Sequence, residues 1–333
     1  MKPIHVNPEF VEIIKDAGRA PSGHNTQPWK FEVNENQIII RPEFTRKLKV
    51  VDPDDHALFI SLGCALENLI LSAKAHQFSP NVTMNLADTN SEIIVELRKS
   101  ENEQKDLLYD FIQQRQSTRT EYKQEPVEPS VLKQLLEQGK NEYVDIIFLT
   151  EKSKIKELEP FILEASDLQF GNKQFIDELV DWIRFSKREA EEKGDGIYGA
   201  SMGMPGIGRF IGSIIMKNLV SAKSERKRWK NLIDKSAGFA LFIVNENSKQ
   251  NWIRLGQSFQ RFGLKATQLN LKHAHVNMPC EEISVRHKLI QYFKIENGRQ
   301  ALLLVRFGYA EAMPYSVRLP LEQILSQKRN FKT

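Results

Sequence analysis

Two short stretches of this 333-residue chain carry residue types able to hold a flat, charged ligand. The first is "RAPSGHNTQPWKFEV", residues 19–33, which crowds Pro21, Ser22, Gly23, His24, Asn25, Thr26, Gln27 and Pro28 between a helix-like run and a strand-like run. Consecutive backbone N–H groups after a proline, beside the small Ser22 and Gly23, can approach a planar ligand closely; Asn25 and Gln27 can bond its polar edge or brace the loop. The same composition also fits a self-satisfied turn in which Ser22 and Asn25 cap nearby backbone groups. The second stretch is "RQSTRTEY", beginning at Arg115. In an extended segment alternate side chains share a side, so Arg115, Ser117 and Arg119 can converge. Two guanidiniums and a hydroxyl placed in this way match phosphate oxygens, whereas an Arg pair taken alone also fits a solvated face. A third stretch, "VRFGYAEAMPYSVRLPLEQIL", ends a strand at Gly308 and delivers Arg318 beyond a proline-punctuated turn; that lone arginine specifies nothing by itself.

Other chemistries are less well served. "GDGIYG" puts glycines at 194, 196 and 199 but follows the charged helix "KREAEEK" instead of a strand, which argues against a dinucleotide-binding turn. His273 and His275 with Cys280 lack a further ligand set, and histidines beside a pocket more often pack or hydrogen-bond than bind metal. The basic run "KSERKRWK" (223–230) has no aromatic platform beyond Trp229 and reads as a solvated helix face. No catalytic triad emerges.

The totals agree. A formal charge of +4 over 38.5 kDa does not imply a nucleic-acid partner, and 41% hydrophobic residues can build a large core in one large or two ordinary domains. Two cysteines, Cys64 and Cys280, make neither a disulfide framework nor a zinc set, so a reduced cytoplasm is expected. The N-terminus has no apolar leader-like core, and no run approaches the ~18 apolar residues of a membrane span. A soluble, unprocessed protein without a membrane partner is the expectation.

The elements around these stretches repeat. "NPEFVEIIKDAG" reads as a helix with Asn7 as N-cap, Pro8 at its first position and Gly18 as terminator; "EPSVLKQLLEQG" does the same from Pro129 to Gly139, 121 positions later. "SLGCALENLILSA" (61–73) echoes "RLGQSFQRFGLKA" (254–266), aligning Gly63 with Gly256 at an offset of 193, and strands "EIIVEL" and "ALLLVRFG" follow. Two diverged copies of one α+β unit are expected. The excess offset of 72 places extra residues in the second copy, within roughly 151–235. That insertion reads as the helices "KIKELEPFILEA" and "KQFIDELVDWIRFSKREAEEK" around the loop "GDGIYGASMGMPGIGRF", and suits either a lid over a pocket or a surface helical hairpin.

Taken together, "APSGHNTQPWKF", "RQSTR" ahead of "EPVEPSVLKQLL", and "RFGYAEAMPYSVRLPLEQIL" resemble the nitroreductase family of FMN flavoproteins, over nearly the whole chain. The length, the two copies and the "DGI" loop look most like its Acg-type branch, in which two nitroreductase units are fused. The resemblance implies an α+β nitroreductase-like fold: a first half at 1–110 carrying the Pro-Ser-Asn-Gln-Pro-Trp loop, and a second at 111–333 carrying the Arg-x-Ser-x-Arg clamp and a helical lid. In the family a homodimer binds FMN at its interface, each subunit giving one of these motifs. Here only the first half has the loop and only the second has the clamp. One complete site inside an intramolecular pseudo-dimer is therefore expected, in a monomer or a further homodimer.

By the same resemblance Arg115, Gln116, Ser117 and Arg119 contact the FMN phosphate, ribityl chain and N1/O2 edge, and Arg318 reaches the phosphate. Pro21, Ser22 and Gly23 pack by backbone on the ring with Asn25 nearby, and Asn277 and Met278 fall where the family faces N5, although its usual acidic-Gly pair is absent. The implied activity passes hydride from NAD(P)H to the flavin and electrons on to a nitroaromatic, quinone or similar small acceptor by ping-pong, with no catalytic side chain. The alternatives are a protein that sequesters FMN beneath its lid, and a degenerate interaction fold.

Overall fold

The computed structural model describes residues 7–87 and 90–326. The first helix, α1 (Pro8–Ala17), starts where its sequence dictates: Asn7 Oδ1 accepts the Glu9 N–H at 2.9 Å, Pro8 sits in the first turn, and Phe10, Ile13 and Ile14 face the core. Strands β1 (Trp29–Asn34) and β2 (Gln37–Pro42) form a hairpin, followed by the long helix α2 (His56–Ala75) and strands β3 (Phe78–Asn85) and β4 (Glu92–Lys99). These strands form an antiparallel sheet in the order β1-β2-β4-β3. After a long extended passage come α3 (Pro129–Gly139) and β5 (Val144–Leu149).

The chain then leaves this pattern for α4 (Lys152–Gly171), α5 (Lys173–Trp182), the two-residue strand β6 (Ile183–Arg184), α6 (Lys187–Lys193), the two-residue strand β7 (Ile197–Tyr198), α7 (Arg209–Asn218) and α8 (Ala222–Asp234). It resumes with β8 (Gly238–Val244), α9 (Lys249–Gln268), β9 (Lys272–His275), the short α10 (Met278–Glu281), α11 (Ile283–Tyr292) and β10 (Gln300–Gly308), and ends its described part in α12 (Leu321–Ile324). The second sheet runs β5-β8-β10-β9, also antiparallel. Matching β1 with β5, β2 with β8, β3 with β9 and β4 with β10 gives both sheets one strand order. The excursion lies between β5 and β8, where the first sheet has only Glu35 and Asn36.

Helices α2 and α9 lie side by side at the centre of the main core. A Cβ on Gly63 would lie 2.0 Å from the Ile253 carbonyl oxygen, and a Cβ on Gly256 2.0 Å from that of Ile60, so only glycine permits this approach. The two contacts exchange when 193 is added to one partner and subtracted from the other. The same exchange relates Gln260 Nε2 to Asn68 Oδ1 (2.6 Å) and Arg261 Nη1 to Glu67 Oε1 (2.9 Å). By length and composition α2 is apolar enough to cross a membrane, contrary to the sequence expectation, but 89% of its apolar window is buried inside the protein.

The two sheets differ in what covers them. Along β3 burial falls away to exposed side chains, as in a sheet with one wet face. Every residue of β8, "GFALFIV", is buried. Ala240, Phe242 and Val244 join the central core, and Phe239, Leu241 and Ile243 join a second core under α4, α8 and α11. The excursion therefore gives the second sheet its other face. Two sequence expectations change here. The run 173–193 is not one helix: it breaks at Ile183–Arg184, which pair in parallel with Ile197–Tyr198. Each long central helix is followed first by β3 or β9, and only then by "EIIVEL" or "ALLLVRFG".

Candidate functional site

The loop after α1 is held in a strained form. His24, Asn25 and Gln27 have φ of 45°, 55° and 52°, left-handed values that cost on the order of 1 kcal/mol each in a non-glycine residue. The surrounding hydrogen bonds supply the restraint. Ser22 Oγ accepts the Gln27 N–H at 2.9 Å. Asn25 Nδ2 donates to the carbonyls of Gly196 and Val317 (3.0 and 3.1 Å), Gln27 Nε2 donates to Gly194 (2.9 Å), and Gln27 Oε1 accepts the Leu319 N–H (2.9 Å). The loop is thus pinned between the turn after α6 and the C-terminal passage. Asn25 and Gln27 act as braces, their amides committed to main chain.

The turn after α6 is itself fixed. Gly194 and Gly196 have φ of 68° and 76°, and a Cβ at Gly196 would meet the Trp182 carbonyl at 2.5 Å. Asp195 between them takes Arg184 through Nε and Nη2 (3.0 and 2.7 Å) on one oxygen and Arg46 on the other. Glu178 of α5 accepts the backbone N–H groups of Val50 and Val51 at 3.0 and 3.1 Å. These contacts lash the excursion onto the first sheet's side of the molecule.

The extended passage before α3 carries the arginines. Ser117 bridges to His273 of β9 and Lys123 to Tyr309, which sets the segment along the second sheet. The alternation expected from the sequence is visible: Gln116 and Thr118 bond one another (3.2 Å), while Arg115, Ser117 and Arg119 border a cavity. Gln116 borders it too, but its amide is committed to Met313, donating to the carbonyl at 2.9 Å and accepting the N–H at 2.7 Å, so it braces the C-terminal passage.

Two confluent spaces result, sharing Pro21, Ser22, Arg119 and His275 in their walls. The smaller, about 50 Å³, is polar and lies among Arg19, Arg115, Ser117, Arg119 and Arg318. The larger, about 240 Å³, takes Gly23, His24, Asn277 and Met278 into its wall, with a mainly apolar roof from the excursion, including Phe170, Phe175, Leu179 and Met202. Pro21, Ser22, Gly23, Asn25, Arg115, Gln116, Ser117, Arg119, Asn277, Met278 and Arg318 all border this continuous space. The Asn277 side chain is also spent on structure: Oδ1 accepts the Leu304 N–H at 2.9 Å and Nδ2 donates to Glu281 at 3.3 Å.

Electrostatically the polar end is an unpaid debt. Burial, with Arg19 and Arg119 nearby, brings Arg115 down to about 10 despite opposing effects of Cys64 and Tyr315. Burial brings Arg119 to about 10; burial and the neighbouring Arg115, Arg19 and Arg119 bring Arg318 to about 9. None of these arginines has a carboxylate within ion-pair distance among the described residues, and Arg115 Nε and Nη1 and Arg318 Nε have no hydrogen-bond partner. Arg318 Nη2 reaches the carbonyls of Arg19 and Ala20 at 3.1 and 3.4 Å, which holds its fork in place. Buried cations with free N–H groups fit a multivalent anion, and the apolar space beside them fits a planar ring. A ring carrying a phosphate tail, such as FMN, fits both.

The histidines are neutral bystanders. Burial, then Arg119, lowers His24 to about 4 and His275 to about 3; burial holds His273 well below its usual range. His273 and His275 lie edge-on to Phe259, at 5.6 and 4.9 Å between centroids, and Cys280 is buried with its thiol pushed far up by desolvation. The one His/Asp cluster with metal-ligand spacing among the described residues is Asp52, Asp54 and His56. Asp52 spends its oxygens on the N–H groups of Ala57 and Leu58 in the first turn of α2. Sequence reasoning missed the bracing set Arg46, Arg184 and Asp195, which no local pattern reveals, and Arg306. The last was signalled by a lone arginine inside the apolar strand "ALLLVRFG".

No family model matches the chain. Over 62 residues it is 37% identical to two Mycobacterium tuberculosis proteins, from strains CDC 1551 and H37Rv, whose names call them NAD(P)H nitroreductases. The match covers 18% of this chain and 17% of theirs, so it spans under a fifth of the curated relatives. Among solved structures, a nitroreductase-like family protein from Bacillus cereus aligns over 68% of this chain and 97% of its own, at 13% identity and TM-score 0.41. A nitroreductase with bound FMN from Bacteroides fragilis aligns over 64% and 95%, at 14% identity and TM-score 0.38. The NADPH:FMN oxidoreductase of Vibrio harveyi aligns over 68% and 80%, at 11% identity and TM-score 0.41.

Proposed function

We propose that this chain is an FMN-dependent oxidoreductase of nitroreductase type, of the Acg-like arrangement with two fused units forming an intramolecular pseudo-dimer around one site. The observation that carries the reading is the cluster of carboxylate-free buried arginines opening into an apolar space between the two motif-bearing halves. The 62-residue likeness to NAD(P)H nitroreductases supports the reaction class. Support for the internal pseudo-dimer comes from the matching strand orders and the reciprocal Gly63 and Gly256 contacts. The halves are 1–110 and 111–333, and the excursion is the roof over the ring.

When bound, FMN supplies a ring that takes hydride from NAD(P)H and passes electrons to a nitroaromatic, quinone or similar small acceptor. The chain binds, orients and excludes water. Arg115 and Arg318 hold the phosphate, with the Ser117 hydroxyl beside them. Arg119, in the wall of both spaces, would stabilise negative charge that develops on a bound ring. The Pro21–Gly23 backbone, held rigid by its braces, forms one wall of the ring slot. Asn277 and Met278 have backbone N–H groups with no acceptor among the described residues, leaving donors at the chamber wall. Phe170, Phe175 and Met202 keep the chamber dry. The test is direct: protein purified at neutral pH carries a flavin absorption band, releases FMN on acid treatment, and bleaches anaerobically with NADH or NADPH. Colourless protein that takes up no added FMN refutes the cofactor assignment; yellow protein that neither nucleotide bleaches refutes turnover.

A further inference from the structure

Arg306 opens the stretch "RFGYAEAMPYSVRLPLEQIL" without a role in the cofactor site described above, yet it is the most deeply buried cation of the chamber wall. It sits in β10 between Val305 and Phe307 with a relative exposure of 1%. Its guanidinium lies 4.0 Å from the ring centroid of Tyr122, and Nη2 donates to the Thr120 carbonyl at 2.6 Å. Those contacts fix its position without neutralising its charge. Nη1 has no partner, and no carboxylate lies within ion-pair distance among the described residues. The chamber's two acids do not supply one. Glu225 is taken by Arg228 at 3.0 Å, and Glu281 is held by the amides of Gln169 (2.8 Å) and Asn277 (3.3 Å), its carboxyl raised by burial toward the neutral form.

Burial disfavours the charge of Arg306, and Glu121 offsets this only from beyond ion-pair distance, so a buried guanidinium in this strand core is costly. Leucine or valine would pack there without that cost, as their neighbours do. Tyr122, 3% exposed, accounts for the stacking but not for the charge. Arg119 also borders the chamber without a carboxylate partner among the described residues, whereas Arg228, on the chamber rim, is already paired with Glu225.

We infer that Arg306, in the chamber wall, forms an anion subsite that receives an anionic oxygen carried by an aromatic group in the chamber. The group is the acid function of the electron acceptor, which makes acidic aromatics the favoured acceptors; the negatively charged edge of the reduced cofactor is the other source of the same chemistry. The inference rests on the oxidoreductase reading but recruits a residue to which that reading gives no role.

The test compares 4-nitrobenzoate with 4-nitrobenzamide, two probes of one shape that differ in charge, by calorimetry on the protein as purified. Acid should bind at least tenfold more tightly than amide, from one charge-assisted hydrogen-bonded contact. Arg306→Gln should erase the preference with amide binding unchanged, while Arg306→Lys keeps much of it and guards against loss of folded protein. If acid and amide bind alike but Arg306→Gln lowers the affinity for reduced relative to oxidised FMN tenfold, the cofactor is the source. Equal binding of the two probes together with an unmoved cofactor potential overturns the proposal, as does an acid preference that survives in Arg306→Gln. FMN content, measured separately on the wild type, reports failure of the oxidoreductase reading, and the probe comparison reads Arg306 whether or not flavin is present.

Discussion

Replacing Arg115 with methionine should push two properties in opposite directions, and the structure sets both sizes. Arg115 is 5% exposed, and its fall from 12.5 to about 10 corresponds to on the order of 3 kcal/mol for carrying its charge in the ligand-free fold. A cation whose folded value lies below its unfolded one destabilises at every pH under the folded value, so at pH 7 the cost is fully present. Methionine fills much of the volume without the charge, so the flavin-free variant should be more stable than wild type by about 1–3 kcal/mol, allowing for lost packing. Flavin binding should move the other way. Two free donors, Nε and Nη1, are available to phosphate, each worth about 1.5–3 kcal/mol as a charge-assisted bond, so FMN affinity should fall by roughly 10² or more. Urea unfolding of flavin-free protein and quenching of FMN fluorescence on titration measure the pair. A variant that loses stability without ligand and binds FMN as before would refute the assignment of Arg115 to an anion site.

Gly256→Ala should cost about 3 kcal/mol or more, because the new Cβ meets backbone atoms of Ile60 and Gly63, which cannot swing aside; an unchanged urea midpoint would refute the helix approach. Asp195→Asn leaves Arg184 buried without its carboxylate at a cost on the order of 3 kcal/mol, and limited proteolysis should then cut first within 173–234; wild-type resistance there would contradict the lashing role. His24 and His275 have folded values of about 4 and 3, below the unfolded 6.5, so each is without penalty above pH 6.5 and erodes stability as pH falls below it. Together they should remove on the order of 3 kcal/mol per pH unit between about pH 6 and 4 from the flavin-free protein. A flat stability curve over that range would show them to be solvated.

Local signals in the sequence located local structure and failed where the decisive partner was distant. The Asn7–Pro8 cap and the glycine-marked helices were legible because a cap and a close approach each demand particular residue types within a few positions. The break inside 173–193 was not read, although "SKRE" offers Ser186 and Glu189 as a helix start and Ser186 Oγ does accept the Glu189 N–H at 3.2 Å. The run "DWIRF" carries no glycine or proline to stop a helix. What turns Ile183 and Arg184 into a strand is pairing with Ile197 and Tyr198 and the grip of Asp195, eleven residues beyond Arg184.

The site divides along the same line. Residues facing the cavity through charge or smallness, such as Arg115, Arg119, Ser22 and Gly23, are recognisable by type, whereas Arg318 stands out only through the family resemblance. Asn25, Gln116 and Asn277 are polar enough to suggest ligands, yet their amides hold carbonyls and N–H groups that only the fold brings near: Val317 lies 292 positions from Asn25, and Met313 lies 197 from Gln116. Side-chain amides carry a donor and an acceptor in fixed geometry and so match backbone peptide groups, whereas a guanidinium, with donors alone, cannot close such a reciprocal pair. Inside this fold the amides are consumed by bracing, and the arginines are what remains available for an anion. That division explains why the strained loop persists: left-handed Asn25 and Gln27 are held by hydrogen bonds to the main chain of the excursion and the C-terminal passage, so a loosened excursion should release the loop and, with it, one wall of the ring slot.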